Sequence, residues 1–563
     1  MTDYLPDNAS LENLKNQAKT LLKQIHNGDQ AIIAELRNSH SRFASSSLDE
    51  LKLADCQRFL AIKYGFNNWT ELKQTLQADD DLADRFLRVA ILRYGGVFEM
   101  NIDSAKQMLQ EHSGLATESI WTAAAVGNVA EVERCLNEQP ELANTQGGPY
   151  DETPLLCVCY SRVQLDKAAF DLLATARLLL ERGADSNARY LTHGTYVFTC
   201  LTGAIGEGEN GVVVCPPHPQ ARELATLLLK HGANPNDGQG LYNSMFTGGT
   251  HWLQLLLDHG LKQGDPINWA AHDGVTTLDY LLANSAKRNM VDRVELLLQH
   301  NADPNCLDWY NKRPVYEIAL SNGNTRIVKL LQEQGATPVE PNSPRQTFYN
   351  ACMAVDREAV SQLVSQHTAA EFQSWLATSE THVDSAADSG KIETVRYLLE
   401  LGFPIRQGLF TAAWNGELAI ARLLVEHGAN ASQRHPGHGV SPIAYAHRAG
   451  KTDVFDFLMR QQIDIFDAVR FGDIAKVQQM LATNPEAIEH HLRDYLAPAT
   501  KSDRKDYTPI AHAIVNGRDE IAICLLHAGA DTTLQPGGRT LLELALENNC
   551  ERTVQALSQG ALG

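Results

Sequence analysis

Residues 227–246 read LLLKHGANPNDGQGLYNSMF, and the first half of this stretch returns along the 563-residue chain while the second half does not. Near copies of the first half are LLLERGADSNAR from Leu178, LLLQHNADPNCLD from Leu296, LLQEQGATPV from Leu330, LLELGFPIRQG from Leu398, LLVEHGANASQR from Leu423 and LLHAGADTTLQ from Leu525. Each joins the apolar end of a helix to a turn. The residue after the helix is Gly183, Gly232, Asn301, Gly335, Gly428 or Gly529, types that accept the left-handed backbone ending a helix, and Lys, Arg or His in the turn before suits the negative end of the helix dipole. His231, His259 and His427 read as such C-terminal helix residues. Asn301 to Gly335 is 34 positions, Gly335 to Gly402 is 67 and Gly428 to Gly529 is 101, close to one, two and three periods of about 33 residues.

The segments preceding these helices also agree. A shorter alanine-rich helix is often opened by a Thr-Pro-like pair: ETPLLCVC at Glu152, KRPVYEIALSNGN at Lys312, VSPIAYAHRAGKTD at Val440 and YTPIAHAIVNGRDE at Tyr507. Proline fits the first helical turn, where its missing N–H would have had no partner. Less regular units are SIWTAAAVGNVAEVERCL at Ser119, HVDSAADSGKIETVRYLL at His382, LFTAAWNGELAIARLL at Leu409 and DIFDAVRFGDIAKVQQML at Asp464, each with a Gly between two helices. Over residues 85–563 the pattern resembles the ankyrin repeat family, with about a dozen units. The resemblance implies an all-α ankyrin-repeat solenoid of helix-turn-helix units. In it the helices build the core, and the loop tips form a concave face that binds a protein partner.

Composition agrees with a repeat. A chain this long exceeds one compact core, whereas stacked repeats can extend because each touches only its neighbours. Lys plus Arg total 48 against 68 Asp plus Glu, a formal charge of −20, which disfavours nucleic acid or an anionic membrane and suits a partner with a basic surface. The ten cysteines are scattered, mostly in apolar helical stretches, and read as reduced core residues of a cytoplasmic protein. The N-terminus MTDYLPDNASLENLK is polar, and no apolar run approaches the roughly 18 residues of a membrane span.

Residues 1–80 are not a repeat. Leu11, Leu14, Ala18, Leu21, Leu22 and Ile25 share one helical face, LDELKLADCQRFLAIKYG predicts a second helix stopping at Gly65, and Asn68 with Trp69 opens a third. The segment resembles the helical stretch that precedes the repeats in many bacterial ankyrin proteins, implying a bacterial source. Covering the open face of the first repeat is its simplest role, a separate binding module the alternative. The expected organisation is a helical capping segment over 1–80, irregular repeats with insertions over 85–340, and more regular repeats with a C-terminal cap over 341–563.

The departures from the repeat locate the candidate site. Between Tyr196 and Asp237 a helix pair is expected with no strand, yet GAIGEGENGVVVCPPHPQAR parts the two helices, with Gly at 203, 206, 208 and 211 and Pro at 216, 217 and 219. Such a run cannot be regular helix. This phrase, with the NDGQGLYNSMF that follows, resembles one branch of bacterial ankyrin proteins, a resemblance that implies fold and leaves chemistry to the residues. The insertion gathers Glu207, Glu209, Asn210, Cys215 and His218, types able to serve as base, thiol or ligand; the plainer alternative is that they hydrogen-bond an irregular loop. One Cys and one His match no zinc pattern. HPGHG at His435–Gly439 occupies an ordinary loop, and no metal or cofactor motif is present. Aromatics lie in or beside the loops: Tyr150, Tyr190, Tyr196, Tyr242, Trp309, Tyr310 and Tyr507. Exposed, they would offer contact area at low entropic cost; packed, they would join neighbouring loops. The candidate binding residues are therefore Glu207, Glu209, His218, Tyr242, Asn243, Tyr196, Trp309 and Tyr310, with none assigned as catalytic. Two functions fit: a protein-interaction scaffold or inhibitor, and an enzyme or small-ligand binder built on the Gly206–Pro219 insertion and the loop around Tyr242.

Overall fold

The computed structural model describes residues 82–558 except 96–98, 166–168, 193–194, 270–273, 499, 501 and 503; among the first 81 it describes 51–66 and positions 14, 18, 19, 21, 22, 25, 32, 33, 36, 37, 68, 69 and 72. The chain packs as two units. Unit 1 comprises Met1–Ser285 with Met290–Val315, and unit 2 comprises Ala286–Asn289 with Tyr316–Gly563. Both are built from helix pairs, giving an all-α repeat solenoid.

The repeat follows from its local chemistry. Pro154, Pro442 and Pro509 each occupy the first turn of a short helix, and the Ser441 side chain accepts from the Ala444 N–H at the start of Pro442–Arg448. These first helices stack on one another: Pro154–Tyr160 on Ile120–Val126 in unit 1, and Gly408–Asn415 on His382–Asp388 and Pro442–Arg448 in unit 2. The second helices, such as Ala221–Lys230 and Leu418–Glu426, turn their leucines inward; Leu224, Leu228 and Leu424 have no exposed surface. All six cap residues anticipated from the sequence have positive φ, from 65° at Asn301 to 93° at Gly529. His259 and His427 lie 2.8 Å through Nδ1 from the carbonyls of Leu255 and Leu423, closing their helices at the negative end.

Unit 1 departs from the strand-free expectation. Strands β1 (Arg189–Thr192) and β2 (Tyr196–Thr199) pair antiparallel, with Tyr190 opposite Phe198. The pair forms because Tyr190 and Phe198 stack at 5.2 Å, with Tyr94 on Phe198 at 5.0 Å and the Arg93 guanidinium 3.9 Å from the Tyr190 ring. Tyr190 and Tyr507, read as loop aromatics, are 8% and 2% exposed and belong to the packing.

Among the first 72 residues, Ala18, Ile25, Ile33, Leu36, Cys56, Phe59 and Leu60 share one buried cluster and Leu14, Ala61 and Leu72 another, with Trp69 packed on both. The Leu53–Lys63 helix ends at Tyr64 and Gly65, whose φ is 87°. Leu11 lies outside the described residues. All ten cysteines are free thiols, nine of them buried. Among the described residues no helix is long and apolar enough to cross a membrane.

Candidate functional site

The insertion leaves the Cys200–Ile205 helix at Gly206, whose φ of 67° and ψ of −138° suit glycine alone; a Cβ there would lie 2.5 Å from the Pro216 carbonyl oxygen. The two ends of the loop are therefore in backbone contact. Arg162, 3% exposed, clamps them from the neighbouring repeat. Its Nε donates to the Pro216 carbonyl at 2.7 Å and Nη2 to Gly203 at 2.8 Å, while Nη1 donates to Cys159 and Ser161. Burial lowers the guanidinium pKa, opposed first by Tyr94 and then by Tyr160.

Glu207, Asn243 and His218 are absorbed by this wiring. Glu207 is 7% exposed with φ 64°; its N–H donates to the Cys215 carbonyl at 2.8 Å, its own carbonyl accepts from the Tyr94 hydroxyl at 2.8 Å, and its carboxylate accepts from Thr247 Oγ1. Burial raises its pKa, opposed by Thr247, Trp252 and the Arg293 charge. Asn243 donates to the Gly206 carbonyl at 3.1 Å and accepts from Gln239 Nε2 at 2.9 Å. His218, 2% exposed, accepts the Gln220 N–H on Nδ1 at 3.0 Å ahead of the Ala221–Lys230 helix, and burial followed by the Arg162 charge pushes its pKa down to about 3. It is a neutral imidazole at neutral pH, with no face toward solvent.

The other candidates converge at the surface. Trp269, 4% exposed, is the centre, with Tyr242 at 5.6 Å, Tyr196 at 5.8 Å and Tyr280 at 5.3 Å, all edge-on to it. Tyr196 is 39% exposed and Tyr310 67%. Glu209 is exposed and accepts from the Tyr242 hydroxyl at 3.2 Å. Burial raises the Tyr196 pKa, followed by Tyr310 and Glu209, and burial likewise raises that of Tyr280, followed by Tyr310, Tyr242 and Tyr196. Trp309 is half-buried under the Lys312 ammonium, 3.9 Å from its ring centre.

Sequence reasoning missed Trp269, Tyr280, Arg162 and Asp237. Asp237, 1% exposed, accepts from Thr199 Oγ1 at 2.5 Å, Thr202 Oγ1 at 3.0 Å and the Gly240 N–H at 2.9 Å, tying the end of β2 to the Gly238–Asn243 helix. A Trp between two glycine turns, at Gly264 and Gly274, was the available signal for the aromatic centre. Among the described residues, a cavity of about 90 Å³ in unit 1 is lined by Asn187, Arg189, Asn234 and Asn268, and one of about 490 Å³ in unit 2 by Ser432, Gln461, Asp464 and Tyr495. Neither lining includes a candidate residue. Among the described residues no group of three or more His, Cys, Asp and Glu is placed to hold a metal ion. In unit 2, His435 and His438 stack at 4.5 Å and are engaged by Gln407 and the Tyr445 hydroxyl.

Comparison with known proteins agrees with this architecture. The family described as ankyrin repeats (3 copies) matches residues 385–468, and ankyrin repeats (many copies) matches residues 270–332. The chain is 25% identical over 282 residues to alpha-latroinsectotoxin-Lt1a of Latrodectus tredecimguttatus, which covers 45% of this chain and 19% of the toxin. It is 31% identical over 119 residues to a fowlpox virus protein named for ankyrin repeats, covering 20% of this chain and 25% of that one, so it spans only a quarter or less of either relative. It is also 31% identical over 121 residues to cyclin-dependent kinase 4 inhibitor B of Bos taurus, 21% of this chain and 88% of the inhibitor.

Proposed function

Because the chain belongs to the ankyrin repeat family, we propose that it is a protein-binding scaffold or inhibitor whose recognition face is the set of loop tips in unit 1 between Arg189 and Pro314. The observation that carries this reading is where large apolar side chains are left in water. Among the described residues, Leu191, Tyr196, Val213, Leu307 and Tyr310 are exposed in unit 1, against Val364 and Leu546 in unit 2. The five lie on the hairpin, on the insertion and on the inter-repeat loop after Val291–Gln299. Concentrated exposure of this kind marks interaction sites. The relative matched along most of its length is named as an inhibitor of a cyclin-dependent kinase, which supports a protein as the class of partner. The charge of −20 favours a basic surface on that partner over nucleic acid or anionic lipid. A cytoplasmic, bacterial setting belongs to the same reading; it rests on the free thiols and on the resemblance of residues 203–246.

The enzyme alternative is weakened at its two best groups. Glu207 and His218 are 7% and 2% exposed, with Glu207 Oε2 accepting from Thr247 and His218 Nδ1 from the Gln220 N–H, so both are turned into the loop and away from a substrate in solvent. Affinity purification from the native cell tests the scaffold reading. Wild type and a Glu426→Ala control should recover the same partner, and the double variant Tyr196→Ala/Tyr310→Ala should lose it while keeping its helical circular dichroism. Undiminished recovery by the double variant would place recognition elsewhere.

A further inference from the structure

We infer that the exposed patch formed by Tyr196, Tyr310 and Glu209 is a seat for a guanidinium or ammonium group, so that the partner enters as an extended basic segment with an arginine or lysine side chain at this point. The proposal rests on the scaffold reading of the same loops and adds the chemistry of what they hold.

The patch offers acceptors and π faces and little else. The Glu209 carboxylate is exposed and, among the described residues, accepts from one hydroxyl, that of Tyr242 at 3.2 Å, leaving acceptor positions toward solvent. The Tyr196 and Tyr310 rings are 39% and 67% exposed, and Tyr196 meets the same Trp269 ring as Tyr242, whose hydroxyl donates to Glu209; Tyr310 and Glu209 both act electrostatically on the Tyr196 hydroxyl. Tyr196 is held edge-on against buried Trp269, which itself rests on Tyr280, so the platform is set before a ligand arrives. A ligand satisfying this surface must donate several hydrogen bonds, carry positive charge and tolerate a ring face. Guanidinium does all three, and ammonium the first two with a weaker claim on the third.

The chain makes the same kind of pairing among its own side chains. Arg93 lies 3.9 Å from the Tyr190 ring centre and 4.7 Å from that of Tyr150, and Lys312 lies 3.9 Å from that of Trp309. Unit 2 makes it as well, with Arg357 4.3 Å from the Tyr397 ring centre, whereas Tyr196 and Tyr310 keep exposed surface. Long-range charge agrees in sign, since a net −20 draws a basic segment toward the protein and away from a neutral or acidic one. A second copy of this chain, equally acidic, is disfavoured for the same reason.

The test uses the full chain and three short fluorescein-labelled peptides, repeats of Arg-Ser, Lys-Ser and Glu-Ser, read by fluorescence anisotropy. Binding should rank Arg-Ser above Lys-Ser, with Glu-Ser not bound. Against Arg-Ser, Glu209→Gln, Tyr196→Ala and Tyr310→Ala should each raise Kd about fivefold or more, while Glu426→Gln, the same charge change on a regular repeat, should raise it less than about twofold. Tyr310→Phe keeps the ring and should stay within about twofold of wild type, which separates loss of the face from any disturbance of folding. Equal effects of Glu209→Gln and Glu426→Gln would mean diffuse attraction to an acidic protein and overturn the proposal. So would indifference to both alanine variants. If the native partner is lost from Tyr196→Ala/Tyr310→Ala yet unaffected by Glu209→Gln and by raised salt, the loop face stands as the scaffold surface and the cationic seat falls; if the partner is indifferent to all three, the face itself falls.

Discussion

Two turns that do the same topological job are built differently in the two units. In unit 2 the first helix Gly408–Asn415 passes to the second, Leu418–Glu426, through Gly416 and Glu417 alone; the N–H groups of both donate back to the Ala412 carbonyl, at 3.0 and 2.9 Å. In unit 1 the corresponding passage, from Cys200–Ile205 to Ala221–Lys230, takes residues 206–220. A two-residue turn satisfies itself from its own helix. A long one does so only in part, so its remaining polar groups need partners brought from elsewhere: Arg162 from the preceding repeat, Tyr94 from the start of the repeats and Asn243 from the helix that follows. The short turn is insensitive to its neighbours, while the long one converts distant packing into the shape of a surface.

The strongest test of that contrast is Arg162→Met. It removes the donors of the Pro216, Gly203, Cys159 and Ser161 carbonyls at once, and each buried group left unpaired costs about 1–3 kcal/mol, so a loss on the order of 4 kcal/mol or more is expected. Hydrogen exchange should show it in the amides of unit 1 and leave those of unit 2 unchanged. A uniform loss in both units would mean that the insertion is not held locally.

Unit 2 has a buried guanidinium of the opposite kind. Arg434, 8% exposed, pairs with Asp467 at 3.0 Å and Asp464 at 2.5 Å, and Ser432 and Ser441 donate to Asp467. Arg434→Ala would leave two buried carboxylates facing each other, a change worth about 3–5 kcal/mol. Urea unfolding should report it, and Asp464→Asn/Arg434→Met together should recover part of the loss. If the single variant is nearly neutral, the ion pairs are not holding these loops.

Acid sharpens the comparison through histidine. His218 in unit 1 has its pKa pushed down to about 3 and His382 in unit 2 to about 4, each chiefly by burial. Both folded values lie below the unfolded one of about 6.5, so above pH 6.5 neither costs anything; as pH falls further the unfolded chain takes up a proton that the folded chain refuses. Each such histidine then removes about 1.4 kcal/mol per pH unit, or about 2 kcal/mol near pH 5. His218→Asn, which can still offer an oxygen to the Gln220 N–H, should flatten this slope for unit 1 and leave unit 2 as steep as before. An unchanged slope in unit 1 would mean that His218 titrates normally.

What the sequence revealed follows the range over which each feature is encoded. Gly232 and Asn301 end helices by their own backbone preference, so the repeat, the caps and the position of the insertion were legible. The hairpin was not, because Tyr-Leu-Thr at 190–192 and Tyr-Val-Phe at 196–198 are short runs whose pairing depends on Tyr94 and Arg93, almost a hundred positions earlier. For the same reason the fates of Glu207 and Glu209 could not be told apart. They are two residues apart in an irregular loop, one turned toward Thr247 and the other to solvent, and the choice is made by the Tyr94 and Cys215 hydrogen bonds to the Glu207 backbone. Trp269 gathers side chains from positions 196, 242 and 280, a convergence no local pattern carries.

The smallest expected effect decides most about function. Tyr310 is 67% exposed, and removing an exposed side chain ordinarily shifts stability by no more than about 0.5 kcal/mol. Tyr310→Ala should therefore melt within a degree or so of wild type, while Tyr196→Ala, which also loses an edge-on contact with Trp269, should cost about 0.5–1.5 kcal/mol. Differential scanning calorimetry of the two variants reads both. The order matters because a residue that recognises a partner and a residue that joins loops differ in where their energy is spent. If Tyr310→Ala lowers stability by more than about 1 kcal/mol, its ring is part of the packing around Tyr280, and the exposed tyrosines are the outer edge of the unit 1 core. If it is neutral, a large ring is being held in water at the tip of a loop without any return in stability, and binding is what remains to account for it.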